Sequence, residues 1–116
     1  MTIHSGSCHC GNIRFKVEGA VEQAMECNCS HCSRKGYLLW FVPREKLQLE
    51  AAPDRMATYH FNKHVIDHHF CRDCGCAPFG FGTAPDGTAT AAVNIRCLET
   101  IELDKVKRVP VDGKSY

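Results

Sequence analysis

The chain has 116 residues, 44% of them hydrophobic and 23% charged, a globular composition that excludes a disordered chain. A formal net charge of +1 leaves no basic footprint for nucleic acid and no basic anchor for an anionic membrane. No run approaches the roughly 18 apolar residues of a membrane-spanning helix, and the length suits a single domain over residues 1–116.

In chain order the local pattern favours strands. Ile13, Phe15 and Val17 alternate with Arg14, Lys16 and Glu18, as in a half-buried strand. Tyr37 to Val42 is a short aromatic-rich run stopped by Pro43, and its Tyr37, Trp40 and Phe41 are expected in the core. Leu47 and Leu49 alternate with Gln48 and Glu50. Ala57 to Phe61 and Val65 to Phe70 read as two strands joined by an Asn62-Lys63-His64 turn. Pro85-Asp86-Gly87 is a turn between Phe79–Phe81 and a strand from Thr88 to Ile95. Val106 to Val111 suits a final edge strand. Only Arg44–Leu47 and Leu98–Asp104 leave room for helical turns. The fold class is mainly β, with few short helical turns.

Nine cysteines are the unusual feature: Cys8, Cys10, Cys27, Cys29, Cys32, Cys71, Cys74, Cys76 and Cys97. The number is odd, and several pairs are too close in sequence for ordinary disulfide geometry. Met1 to Gly11 has no apolar leader-like run. Thiolates kept as metal ligands in a reducing cytoplasm fit better than a secreted disulfide scaffold.

Cys71 and Cys74 have the two-residue spacing of a zinc knuckle, and Gly75 permits the tight turn that aims N–H groups at the sulfurs. Two ligands do not complete a tetrahedron. Cys8 and Cys10 supply a matching pair, so Cys8, Cys10, Cys71 and Cys74 form an expected closed, structural zinc site. Cys27, Cys29 and Cys32 are three thiolates on one short segment. Three protein ligands with an open fourth position is the arrangement zinc has when it does chemistry. On spacing alone the trio is equally readable as a second structural site completed by His31, Cys76 or Cys97.

Cys76 and Cys97 are also readable as small buried hydrophobes. His68 and His69 are adjacent on a predicted strand and point to opposite faces, so one of them can face the metal region. His9 and His31 lie within clusters and can donate to thiolates. His60 and His64 are read as exposed or turn residues. No general base is identifiable by spacing. Arg34, Lys35 and Arg96 are candidates to bind substrate carboxylates, since an arginine presents a bidentate fork. Their competing reading is solvated surface.

Four segments occur in order: Gly6 to Phe15 (GSCHCGNIRF), Cys27 to Gly36 (CNCSHCSRKG), Phe70 to Gly75 (FCRDCG) and Val93 to Leu98 (VNIRCL). Together they resemble the glutathione-dependent formaldehyde-activating enzyme family, which also includes centromere protein V. The resemblance spans nearly the whole chain. It implies a β-tent of small sheets held by zinc, with two zinc ions per chain. Its structural ligands map onto Cys8, Cys10, Cys71 and Cys74, and its second set onto Cys27, Cys29 and Cys32. It implies a carbon–sulfur lyase whose reverse reaction condenses formaldehyde with glutathione to S-(hydroxymethyl)glutathione.

The expected function is therefore a zinc-dependent enzyme joining or splitting a thiol, glutathione or another small one, and a small aldehyde. Zinc held by the trio would bind the incoming thiol and lower its pKa. The competing readings are a non-catalytic zinc-binding interaction module and a thiol redox protein working through Cys76 or Cys97.

Overall fold

The computed structural model describes residues 2–50, 54, 56–60 and 66–113. It is mainly β, in two sheets. Strands β1 (Ile3–Ser7), β2 (Arg14–Glu18) and β5 (Leu47–Leu49) form a small antiparallel sheet in the order β1-β2-β5. The register sets Phe15 opposite Gly6 and Leu49, and Val17 opposite His4 and Leu47. Phe15 and Val17 are fully buried while Arg14 and Lys16 face water, as the two-residue period requires.

The larger sheet runs β10-β3-β4-β9-β8-β7-β6. Its members are β3 (Gln23–Cys27), β4 (Leu39–Pro43), β6 (Met56–Tyr59), β7 (Asp67–Cys71), β8 (Phe79–Thr83), β9 (Ala89–Asn94) and β10 (Lys107–Val111). All neighbours are antiparallel except β10, which pairs parallel with β3 at one edge. The core lies between the two sheets and contains Ile13, Phe15, Val17, Leu38, Val93 and Ile95. Phe15 meets Phe79 of β8 edge-to-face, with ring centroids 5.2 Å apart. Gly6 makes this packing possible, because a Cβ there would overlap the tip of the Phe15 ring.

Several expectations need correction. A helix, α1 (Ser30–Lys35), stands where no helical turn was expected. It has no apolar period because it buries only Cys32. Local bonds hold it instead: the Cys29 side chain accepts from the Cys32 N–H, and Gly36 closes the end at φ 70°. Strands β1 and β3 were also unforeseen. Their inward positions are His4, Gly6 and Ala24, which carry little hydrophobic contrast. Within Leu98–Asp104 only the stretch from Leu103 forms a 3-10 turn, Leu103–Lys105, while Leu98 bridges to Gly6. Another 3-10 turn spans Ile95–Cys97, and the one expected near Arg44 spans Arg44–Lys46.

Phe41, expected in the core, is 51% exposed, because its side of β4 is not covered by the small sheet; Tyr37 is buried and Trp40 half-buried. The Asn62-Lys63-His64 turn, with Phe61 and Val65, lies outside the described residues. Among the described residues no helix is long and apolar enough to cross a membrane.

Candidate metal centres and the adjoining cavity

Two groups of sulfurs are brought together. Cys8 follows β1, Cys10 lies in the turn before β2, Cys71 ends β7, and Cys74 sits in the turn after it. Their four Sγ atoms all lie within 4.8 Å of one another. The Cys8–Cys10 and Cys10–Cys71 sulfurs are 3.7 and 3.6 Å apart. A tetrahedron with metal–sulfur bonds of about 2.3 Å has sulfur–sulfur edges of about 3.8 Å, so the four donors fit a zinc ion.

The backbone prepares both halves of this site. The Ile13 N–H donates to the Cys8 sulfur at 3.3 Å, and the Gly75 N–H donates to the Cys71 carbonyl at 2.9 Å. Gly75 sits at φ 82°, which a side-chain-bearing residue adopts at a cost. Asn12 Nδ2 donates to Asp73 at 2.7 Å and ties the two turns together. Burial pushes the Cys74 thiol up, but N–H groups of Cys76 and Cys10 and the neighbouring thiols outweigh it and hold it down at about 6. Such donors favour thiolate.

The second group comprises Cys27 at the end of β3, Cys29 at the cap of α1, and Cys32 inside the helix. These three sulfurs also lie within 4.8 Å of one another. Among the described residues no His, Cys, Asp or Glu joins them as a fourth donor at that distance, so His31, Cys76 and Cys97 do not complete the set. The Cys32 N–H donates to the Cys29 sulfur at 3.3 Å, and the Cys29 N–H to the Cys27 sulfur at 3.5 Å. Burial and the adjoining Cys29 and Cys27 sulfurs push the Cys32 thiol far up. Burial acts on Cys29 too, yet the Cys32 N–H and the Cys32 and Cys27 side chains hold it below the usual range. Three thiols this close do not all ionise by themselves, and a divalent cation removes that conflict.

The loop that carries the trio is held by the end of β10. Asn28 N–H donates to the Val111 carbonyl at 3.1 Å, and Asn28 Nδ2 to Asp112 at 2.9 Å. The trio lies on the wall of a cavity of about 350 Å³. Tyr37 and His68 line this cavity and also a second cleft with His31, Arg34, Lys35, Tyr59 and Phe70. The His31 and His68 rings are 4.5 Å apart, and Tyr59 stacks on His31 at 5.5 Å. Burial first, then His31, His60 and His69, lower His68 to about 4, so its imidazole is neutral at physiological pH. Burial, then the charges of Cys32, Cys97 and Cys29, raise the Tyr37 phenol to about 12.

The chain matches the family model described as glutathione-dependent formaldehyde-activating enzyme over residues 3–109. The chain belongs to that family. A crystal structure of a Rhodobacter sphaeroides protein, a structural genomics target, is similar at 26% identity, with a TM-score of 0.77. The likeness covers 90% of this chain and 99% of that one.

In this family member the three cationic candidates have different settings. Arg34 lines the second cleft and donates one guanidinium N–H to the Ser30 carbonyl at 2.9 Å. Lys35 lines the same cleft, its ammonium 5.4 Å from the Phe70 ring centroid. Arg96 lines neither cavity; its Nε donates to the Gly36 carbonyl at 2.8 Å and closes the end of α1. His9 is exposed, whereas His31 stands between the cleft's aromatic rings. His69 points the other way from His68, against Phe81 at 4.8 Å. His60 is exposed and meets Asp67 at 2.6 Å. Cys76 packs at the edge of the main core, and burial raises the Cys97 thiol to about 12. Tyr59 and Phe70 line the cleft, and Gly113 lines the cavity, yet no sequence signal singles any of them out as a site residue.

Proposed function

We propose that the protein joins or splits a thiol and a small aldehyde at the Cys27–Cys29–Cys32 site, as a carbon–sulfur lyase. The observation that carries this reading is a three-sulfur donor set on the wall of a cavity, without a fourth protein donor among the described residues. Membership of a family named for glutathione-dependent formaldehyde activation supports it. In this reading Cys8, Cys10, Cys71 and Cys74 hold a structural zinc ion. The trio holds a second, and residues 1–116 act as one domain. Thiolates of this kind persist in a reducing compartment such as the cytoplasm.

Zinc, when bound by the trio, supplies a Lewis-acidic position at which a thiol ionises near neutral pH. The protein's own residues do the rest. The Cys32 and Cys29 N–H groups keep the trio's geometry. Arg34 and Lys35 attract the carboxylates of the thiol and offset the negative charge of a three-thiolate site. His68, neutral and shared by cavity and cleft, offers a ring N–H to the carbonyl oxygen, while the proton of the incoming thiol leaves to water and another returns from water to the product hydroxyl.

The test is a cobalt-substituted protein titrated with glutathione, cysteine, coenzyme A and mercaptoethanol. A small thiol is expected to perturb the thiolate charge-transfer bands, and Arg34→Ala to weaken a carboxylate-bearing thiol at least threefold with both metals retained. Bands that ignore every thiol offered would leave the trio as a structural site.

A further inference from the structure

The cavity beside the trio is far larger and more apolar than formaldehyde requires. Its volume is about 350 Å³, within the usual size of small-molecule sites. Its walls include Met25, Leu39, Phe41, Ile66, Phe79 and Val111. Among the described residues its only polar side chains are the three cysteines, Tyr37 and His68, and no Lys, Arg, Asp or Glu lines it. The cationic side chains stand instead in the neighbouring cleft, across the Tyr37–His68 partition.

This division sorts the two reactants. A carboxylate placed among the apolar side chains would lose its hydration without a partner, so the charged part of the thiol belongs in the cleft with Arg34 and Lys35. The space beyond the sulfurs is then left for the carbonyl partner. Formaldehyde has no substituent and would leave those walls wet. An apolar substituent would displace that water and gain about fourfold in affinity for each buried methylene.

We infer that the cavity receives an apolar substituent on the carbonyl carbon, and that the substrate aldehyde is branched-aliphatic or aromatic rather than formaldehyde. This rests on the thiol–aldehyde reading of the trio. In the reaction the thiol sulfur bonds to the carbonyl carbon and the carbonyl π bond opens. The thiol loses one proton to water and the new hydroxyl gains one from it, so no oxidant or reductant takes part. Tyr37 and His68 are the polar groups within the cavity able to meet that oxygen.

The experiment has two arms on the zinc-loaded protein. In the first, non-reacting analogues (methanol, isoamyl alcohol and 2-phenylethanol) are titrated by ligand-observed NMR. Affinity is expected to rise about fourfold per methylene and to fall at least tenfold in Ala92→Leu, which fills the cavity from mid-β9. Circular dichroism and metal content check that this variant folds, and the alcohol series on the unaltered protein stands without it. In the second arm, exchange NMR compares glutathione adduct formation with formaldehyde, isovaleraldehyde and phenylacetaldehyde. A kcat/KM for isovaleraldehyde or phenylacetaldehyde at least tenfold above that for formaldehyde is expected.

Equal affinity across the alcohols, with formaldehyde the best substrate, would overturn the inference and leave the thiol–aldehyde reading intact. A steep alcohol series with no aldehyde accelerated would overturn the thiol–aldehyde reading and leave the cavity's apolar selectivity standing. A steep alcohol series with all three aldehydes accelerated equally would take the apolar group off the aldehyde and overturn the assignment.

Discussion

Gly113 lies directly against the sulfur of Cys27, so near that a Cβ on Gly113 would overlap it. The segment just past β10 is thereby part of the trio's environment, although 86 positions separate the two residues. No side chain fits between the backbone and the sulfur.

Gly113→Ala is therefore expected to displace Cys27 and loosen the trio while leaving Cys8, Cys10, Cys71 and Cys74 undisturbed. Chelator competition followed with a chromogenic metal indicator measures this. One ion should leave at least tenfold faster than in the unaltered protein, and the other at an unchanged rate. Equal acceleration of both would show that the substitution acts on the fold as a whole.

Cys71→Ser and Cys29→Ser are expected to differ in kind. Metal binding to a closed structural site is folding free energy, of order 10 kcal/mol in small zinc peptides, against a typical domain stability of about 5–15 kcal/mol. Cys71 also joins two segments 61 positions apart. Cys71→Ser should leave the protein unfolded at room temperature, and Cys29→Ser folded with one zinc ion and no thiol response. Thermal melts and metal analysis separate these outcomes; equal damage from both would make the trio structural.

Phe15 has no exposed surface and bridges the two sheets through Phe79. Phe15→Ala should cost about 3–5 kcal/mol, read as a lower urea midpoint. A loss below about 1 kcal/mol would mean that the small sheet contributes little to the joint core.

His68 makes stability depend on pH in a fixed direction. Its pKa is lowered from 6.5 to about 4 on folding, so below pH 6.5 the unfolded chain takes up a proton that the folded protein refuses. Its contribution is complete above pH 6.5 and is lost as the pH falls towards 4. His68→Gln should lower the loss between pH ~7 and ~5 by about 1 kcal/mol, a figure reduced for its partial solvent contact. Urea titrations of both proteins at the two pH values measure the difference, which cancels the acid sensitivity of the shared metal ligands. Parallel curves would show that His68 protonates freely in the fold.

The grouping of the sulfurs was largely legible in the sequence because its signals are local. Cys27, Cys29 and Cys32 lie within six residues, and Cys71 and Cys74 within four, so chain connectivity alone keeps those sulfurs close. The alternation at Arg14–Glu18 specified β2 for the same reason, since neighbouring residues determine which face is apolar. The Cys8–Cys10 pair was assigned to Cys71–Cys74 by ligand counting, and the fold brings the four together.

Only the tertiary structure decided the rest. Helix α1 buries a single residue and is held by a cysteine cap and a left-handed glycine, so it carries no period to read. Strand β3 lies between β4 and β10, and its whole length pairs with β10, more than 80 residues away in parallel register. The separation of an apolar cavity from a cationic cleft arises where β3, β4, β7, β8 and α1 converge. Sequence spacing describes contacts along one segment, whereas a cavity is a relation among several. Its shape follows from how sheets pack over the core, and that packing is not encoded in any one stretch of chain.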